Sequence, residues 1–166
     1  MELSEADLMA CCASRRWAAA VAGHRAAAGH RHVAEDRDLA ELREVSKRVL
    51  DELDWPDVEE ALAAHPRIGE RAAGEAREAG WSRSEQSGMT GAERGLRDAL
   101  VEGNRAYEER FGHVFLICAS GRSALEILAD LRRRLGNDVE TEREVVRREL
   151  AAIVDLRLVK LARESA

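Results

Sequence analysis

The sequence predicts an all-α protein, and three observations support this prediction. Alanine, leucine, glutamate and arginine, which all favour helices, dominate the 166 residues, and only two prolines occur. Apolar residues recur at three- and four-residue steps over long stretches. Hydrophobic residues make up 45% of the chain, which is typical of a folded protein with a core and not of a disordered one. We expect a single domain over residues 1–166, a multi-helix bundle with an irregular active-site segment around residues 65–89.

Two helix starts are recognisable near the N-terminus. Ser4 precedes acidic residues and predicts a short helix that ends at about Ala13. Ser14 can cap a second short helix. The polar, alanine-rich residues 23–32 predict a flexible loop after it.

An amphipathic helix is predicted from Asp38 onwards. Its apolar face consists of Leu39, Leu42, Val45, Val49, Leu50 and Leu53. Pro56 suits the first turn of the next helix, which should run to about Ala64. Residues 65–89 contain Pro66 and several glycines and predict a loop, a short helix and a second loop or turn.

The C-terminal half predicts three longer helices. A capping box at residues 90–93 begins a helix that should run to about Arg110. The apolar residues 111–118 could form a buried strand, but without strand partners we prefer an extended link between helices. Residues 123–135 predict a helix that stops at Gly136. The last helix follows, and its buried face carries Leu150, Ile153, Val154, Leu158 and Leu161.

Charge and cysteine content exclude several classes of function. The net charge of -6 disfavours nucleic-acid binding, since such domains usually carry a basic surface. Cys11, Cys12 and Cys118 form no CxxC pair, which is typical of reduced thiols in a cytosolic protein. No apolar run approaches the ~20 residues that span a membrane, and the N-terminus has no signal-peptide pattern. We therefore expect a cytoplasmic protein without nucleic-acid or membrane partners.

His65 is the first candidate for chemistry, because a histidine can exchange a proton near neutral pH. Pro66 keeps His65 out of the helical region, so the ring should lie at a helix end where it can face a cleft. Glu85 could orient that ring, and the carboxamide of Gln86 could bind a ureide or an amide. Alternatively, His65 is a helix-terminal histidine that bonds to a carbonyl, and Glu85 and Gln86 are solvated loop residues. Ser82 would then be an ordinary capping residue.

Two further regions could bind a ligand. Small residues follow Cys118 just before a helix, where backbone N–H groups could face an anion or a carbonyl oxygen. The alternative is a buried thiol and a routine helix start. Arg157 and Arg163 could each bind a carboxylate through two parallel hydrogen bonds, and Arg157 stands out because its neighbours are apolar.

Three histidines, His24, His30 and His32, raise the question of a metal site. The spacing of His30 and His32 suits a metal in principle, but no third ligand occurs at a recognisable spacing. We expect no metal and no other cofactor.

Several motifs occur in order along nearly the whole chain. They are His65-Pro66-x-Ile68-Gly69, Glu85-Gln86-x-Gly88, Asn104-x-x-Tyr107-x-x-x-Phe111-Gly112, Phe115-x-x-Cys118-Ala119-x-Gly121-Arg122-Ser123, and Arg157-Leu158. With these motifs the chain resembles the family of 2-oxo-4-hydroxy-4-carboxy-5-ureidoimidazoline (OHCU) decarboxylases, which act in urate breakdown.

The resemblance implies an all-α homodimer that converts a small molecule, OHCU, into (S)-allantoin and carbon dioxide without a cofactor. It implies that His65 is the catalytic acid/base and that Glu85 is its partner. The residues that it assigns to substrate binding are Pro66, Ser82, Gln86, Phe115, Ile117, Cys118, Ala119 and Arg157, those of residues 115–119 through the backbone; Arg163 is the less favoured choice for the arginine.

One segment departs from the family, and two other functions stay open. Residues 23–36 lack the Arg-Pro-Phe-like stretch that many members have, so the shape of that loop is not predicted by the resemblance. A thiol hydrolase would use Cys118 with His65. A non-catalytic helical module would bind ureides without turning them over.

Overall fold

The protein is described by a computed structural model that covers residues 3–28, 35–69 and 94–164. Within these ranges the regular structure is helical, without strands, which confirms the all-α prediction. No helix in the described ranges is long and apolar enough to cross a membrane. The helices are α1 (Glu5–Cys11), α2 (Arg15–Ala28), α3 (Glu35–Glu52), α4 (Trp55–Ala63), α5 (Arg94–Phe111), α6 (Ala124–Arg134) and α7 (Val139–Glu164).

Two capping boxes begin helices where the sequence predicts it. At α1 the hydroxyl of Ser4 accepts a hydrogen bond from the Asp7 N–H, and the Asp7 carboxylate accepts one from the Ser4 N–H at 3.0 Å. Ser123 and Glu126 form the same pair of bonds at the start of α6. Each box satisfies two backbone groups that a helix start would otherwise leave without partners.

The loop predicted for residues 23–32 is wrong in its first part, because α2 continues to Ala28. Alanine has the highest intrinsic helix propensity, and the run of alanines outweighs the single Gly23. Most side chains of residues 23–27 are exposed, so their polar pattern reports an exposed helix rather than a loop. Residues 29–34 lie outside the described ranges.

The helix ends of the C-terminal half differ from each other. Gly112 has a φ of 77° and its N–H donates to the Glu108 carbonyl at 2.8 Å, so a glycine in the left-handed conformation ends α5. Gly136 has no positive φ; its N–H donates to the Arg133 carbonyl at 3.1 Å in a tighter turn. Residues 112–119 contain neither helix nor strand, which confirms the predicted extended link.

The chain divides into two compact units, and the prediction of one domain over residues 1–166 stays a prediction. Unit 1 comprises residues 1–61 and 151–166. Arg43 of α3 binds Asp155 of α7 through two hydrogen bonds of 2.5 and 2.8 Å within this unit. The largest apolar side chains of its core are Leu8, Trp17, Val21, Leu42, Val49, Leu50, Leu53, Val58, Ile153, Val154, Leu158 and Leu161.

Unit 2 comprises residues 62–150 and carries most of the motifs singled out above. Helices α5 and α6 pack closely at Gly103, where a Cβ atom would lie 2.5 Å from the Cδ2 atom of Leu131. The apolar cluster of this unit consists of Ile68, Leu100, Tyr107, Phe115, Ile117, Ala119, Ala124, Ile127, Leu128 and Leu131.

Candidate active site

His65 lies two residues after Ala63, the last residue of α4, and so at the helix end that the sequence predicts. Its N–H donates to the Leu62 carbonyl at 3.0 Å and so closes the last turn. Pro66 follows and prevents the helix from continuing. The His65 side chain is half-buried, and its Nε2 atom is shielded from solvent. The ring is therefore held between a helix end and a rigid peptide, with one nitrogen in a dry environment.

The residues that follow Pro66 are held by α5. The side-chain amide of Asn104 donates to the Ile68 carbonyl at 3.0 Å. One turn further along α5, the Glu108 carboxylate accepts two hydrogen bonds from the Arg67 guanidinium, at 2.6 and 2.9 Å. The Ile68 side chain is 4% exposed and belongs to the apolar cluster of unit 2. Three different contacts thus fix the segment that begins with His65.

The second predicted ligand-binding segment, residues 115–119, packs into the same cluster as Ile68. The side chains of Phe115, Ile117 and Ala119 are all buried there. This leaves their backbone groups, rather than their side chains, as the parts that could contact a ligand. The apolar cluster places the segment after Pro66 and residues 115–119 on one shared core.

A buried ionic network holds the carbonyl of Leu116. Arg134 is fully buried; its Nη1 donates to the Leu116 carbonyl at 2.8 Å, and its Nε and Nη2 donate to Glu142 at 2.9 and 2.7 Å. The guanidinium also lies 4.5 Å from the centre of the Phe115 ring. Because a buried arginine needs charge and hydrogen-bond partners, this network fixes the backbone on either side of Leu116.

Tyr107 completes this network from α5. Its hydroxyl donates to the Glu142 Oε1 atom at 2.5 Å, and its ring packs edge-to-face on Phe115 at 5.2 Å between centroids. Burial raises the pKa of Tyr107 well above its usual range, and the hydrogen bond to Glu142 raises it further, while Arg134 opposes the shift. The hydroxyl therefore stays protonated and acts as a donor.

Cys118 already uses its backbone N–H within the chain. This group donates to the Glu149 Oε2 atom at 2.8 Å, and the other oxygen of Glu149 accepts from Arg122 at 3.2 Å. Arg122 also pairs with Asp130 at 3.3 Å. The Cys118 thiol is half-buried and forms no disulfide. A ligand that binds the Cys118 amide would have to displace the Glu149 carboxylate.

The two candidate arginines of α7 have different surroundings within unit 1. Arg157 is fully buried, and its Nη1 donates to the Cys11 carbonyl at 3.3 Å. Arg163 is exposed in the last turn of α7. The two arginines thus differ in burial and in partners, and the choice of Arg157 over Arg163 as the substrate-binding residue stays a prediction.

Several predicted residues lie outside the described ranges. Ser82, Glu85 and Gln86 are among them, so their distances to His65 stay predictions. His30 and His32 are also outside, whereas His24 is exposed on α2. Within the described ranges no group of three or more histidine, cysteine, aspartate or glutamate side chains could hold a metal.

The sequence analysis missed the roles of Asn104, Glu108, Arg134, Glu142 and Glu149. A signal existed for Asn104, which falls on the apolar face of α5 and is 2% exposed. A buried polar side chain on an apolar helix face needs a hydrogen-bond partner. The sequence does not identify that partner, because the Ile68 carbonyl lies 36 residues away along the chain. Arg134 and Glu142 give no such signal, because charged residues are abundant in this chain.

Comparison with known proteins relates this chain to one family. A family model described as OHCU decarboxylase matches residues 2–159 of the chain. The chain is 38% identical over 111 residues to the uric acid degradation bifunctional protein TTL of Arabidopsis thaliana, covering 64% of this chain and 34% of the relative. It is 34% identical over 111 residues to the 2-oxo-4-hydroxy-4-carboxy-5-ureidoimidazoline decarboxylase of Amia calva, covering 66% of this chain and 63% of the relative. The chain therefore matches less than two thirds of the length of these curated relatives.

Two solved structures share the fold. One is a crystal structure of OHCU decarboxylase in the presence of (S)-allantoin, with 27% identity and a TM-score of 0.76, covering 96% of this chain and 99% of that one. The other is a crystal structure of (S)-allantoin synthase, with 16% identity and a TM-score of 0.68, covering 94% of this chain and 48% of that one. The second likeness, at this low identity, concerns the fold alone.

Proposed function

Because the chain belongs to the OHCU decarboxylase family, we propose that it converts OHCU into (S)-allantoin and carbon dioxide in urate breakdown. The observation that carries the proposal is the placement of His65. Its ring is held at the end of α4 with Nε2 shielded from water, within a chain that matches the family over residues 2–159. A histidine in such a place is suited to exchange one proton with a bound substrate.

The proposed reaction needs no electron acceptor other than the substrate. As the bond between the ring carbon and the carboxylate breaks, its electron pair forms a double bond to the neighbouring carbon. The electrons of the adjacent C=N bond move to nitrogen, which takes up a proton. The resulting enol then loses its hydroxyl proton and gains a proton on carbon, which gives allantoin. Carbon dioxide leaves, and atoms and electrons balance without a metal or an organic cofactor.

In this mechanism His65 exchanges the proton of the substrate hydroxyl, and Glu85 orients the imidazole and stabilises its charged form. Gln86, Ser82, Pro66 and the backbone of residues 115–119 hold the ring and the ureido arm. Arg157 binds the carboxylate. Proton delivery to one face of the planar intermediate gives the (S) product.

Three companion proposals concern the assembly, the location and the metal requirement of the enzyme. We propose that the protein is a homodimer, which light scattering coupled to size-exclusion chromatography tests. We further propose that it is located in the cytoplasm, which fractionation of the source cells tests. We also propose that activity is independent of metal ions. Dialysis against EDTA should leave the rate unchanged, and a loss that zinc restores would contradict this.

The decisive experiment replaces His65 by asparagine, which keeps a polar side chain but cannot act as an acid or base near neutral pH. OHCU is generated from urate by the two upstream enzymes, and circular dichroism follows the formation of (S)-allantoin. We expect the rate to fall by about 10²–10⁴-fold, the usual contribution of a general acid/base.

His24→Asn is the matched control, since it makes the same substitution at an exposed position of α2. It should leave the rate unchanged. Near-full turnover by His65→Asn would refute the proposed role of His65. Saturable allantoin binding by the natural protein without any turnover of OHCU would instead favour the non-catalytic binding module.

A further inference from the structure

We propose that Asn104 of α5 is a positioning residue for His65, one that sets the place of the imidazole without contacting the substrate. This inference rests on the proposed function and extends it to a residue with no assigned role. Asn104 acts through the short segment between His65 and Ile68, which we call the histidine segment.

The histidine segment is fixed at both of its ends. At its start, the His65 N–H donates to the Leu62 carbonyl at 3.0 Å, at the end of α4. At its end, the Ile68 carbonyl accepts from the Asn104 amide at 3.0 Å, and the Ile68 side chain is buried in the apolar cluster. Pro66 restricts the backbone between these points. A shift of the Ile68 carbonyl is therefore transmitted to His65 across only two intervening residues.

Asn104 is itself held rigidly. It is 2% exposed and lies between Leu100 and Tyr107 on the buried face of α5. Its amide has little freedom to rotate away, because the neighbouring side chains on this face are packed in the same cluster. The donor that meets the Ile68 carbonyl thus has one fixed position.

The side-chain oxygen of Asn104 indicates that stability alone does not explain why an asparagine occupies this position. Its Oδ1 atom is buried and meets no hydrogen-bond donor among residues 3–28, 35–69 and 94–164. A buried acceptor without a donor is destabilising, and an apolar residue of similar size would avoid that cost. A local rule that is broken in this way is typical of a residue with a functional role.

Glu108 provides a second, weaker contact to the same segment. Its carboxylate accepts two hydrogen bonds from Arg67, but the Arg67 side chain is half-exposed and the pair is screened by water. We expect Glu108 to contribute less than Asn104, because the Asn104 bond is buried and its partner is the backbone itself.

The test replaces Asn104 by aspartate, which keeps the shape but loses the donor and places a carboxylate opposite the Ile68 carbonyl. We expect kcat to fall by about 10–100-fold, since a displacement of about 1 Å at a catalytic group costs up to about 10²-fold. KM should change by less than about threefold, because substrate contacts are retained. Glu108→Gln should lower kcat by less than about threefold, in keeping with its exposed contact.

Leu42→Ala is the control for a loss of stability. Leu42 is 2% exposed in the core of unit 1 and does not belong to the apolar cluster that holds Asn104 and Ile68. The control loses stability without changing that cluster, so its kcat measured below its unfolding temperature should match that of the natural protein. Equal losses of kcat in Asn104→Asp and Leu42→Ala would overturn the positioning role.

A second measurement does not depend on catalysis. NMR of the imidazole signals of the substrate-free protein reports the surroundings and the pKa of His65, which is identified by the signals missing in His65→Asn. We expect these signals to move in Asn104→Asp and to stay in place in Leu42→Ala. Unmoved signals in Asn104→Asp would refute the inference. Should the natural protein fail to turn over OHCU, the proposed function fails, and the NMR comparison alone then decides whether Asn104 positions His65.

Discussion

Replacement of Tyr107 by phenylalanine removes one hydroxyl from the buried network that Tyr107 forms with Arg134 and Glu142. The lost bond is short, 2.5 Å, and its acceptor is a carboxylate. Glu142 keeps its bonds to Arg134 and Asn137, so no charge is left without partners. We therefore expect the free energy of unfolding near neutral pH to fall by about 1.5 kcal/mol, the low end for hydrogen bonds to charged groups.

The same hydroxyl makes a second, pH-dependent contribution. The pKa of Tyr107 is raised in the folded protein because of burial and the bond to Glu142, whereas an unfolded tyrosine ionises near its ordinary value. The stabilisation is thus complete below the unfolded pKa and is lost as the pH rises above it. Each pH unit above about 10 removes about 1.4 kcal/mol, so the natural protein should lose about 2 kcal/mol by pH 11.5.

Tyr107→Phe lacks this loss, and the two proteins should therefore reach equal stability at about pH 11. The assay is urea unfolding followed by circular dichroism at a series of alkaline pH values. All other ionisable groups are the same in both proteins, so their contributions cancel in the difference.

Absorbance gives an independent check, because Tyr107 is the one tyrosine of the chain. The tyrosinate signal should appear only when the natural protein unfolds. Ionisation near the ordinary tyrosine pKa in a protein that is still folded would refute the buried network. A stability difference that stays constant with pH would refute the assigned cause of the shift.

Three further substitutions test other parts of the structure. Gly103→Ala would place a Cβ atom 2.5 Å from Leu131, so we expect thermal unfolding to report a loss of about 1–3 kcal/mol; a gain would show that α5 and α6 pack less closely. Ser123→Ala removes the cap of α6 and should cost about 1 kcal/mol in urea unfolding. In the natural protein the Glu126 carboxylate accepts a hydrogen bond from the Ser123 backbone N–H, which lowers the pKa of Glu126. The stabilisation from this bond should be lost as the pH falls below the ordinary glutamate pKa, and a loss at high pH instead would contradict the cap geometry. Arg157→Lys should raise KM by about tenfold with a smaller change in kcat, because lysine lacks the planar fork; an unchanged KM would remove Arg157 from substrate binding.

Much of the local structure follows from the sequence alone. The capping residue Ser4 begins α1 as predicted, and the helix predicted from residue 123 onwards begins directly after Ser123. Pro66 follows His65 and ends the helical stretch there, as predicted. These features depend on residues within one or two helical turns, so their physical causes can be identified from residues that are close in the sequence. The exception is α2, where an exposed polar helix has the same composition as a loop.

The candidate site divides in the same way. His65 and residues 115–119 are recognisable by residue type and motif, and Arg157 by an arginine among apolar neighbours. Their surroundings are not recognisable. The Cys118 N–H donates to Glu149, 31 residues further along the chain, and no local pattern marks Glu149 among so many glutamates.

The sequence by itself determined most of the helices, the cap at Ser4 and the chemistry that His65 can perform, because these depend on propensity, periodicity and side-chain type. Only the tertiary structure decided that Asn104 donates to the Ile68 carbonyl and that Glu142 accepts hydrogen bonds from Tyr107 and Arg134. These bonds join groups between 8 and 36 residues apart. A buried polar group requires a partner, but which partner it meets depends on how the helices pack.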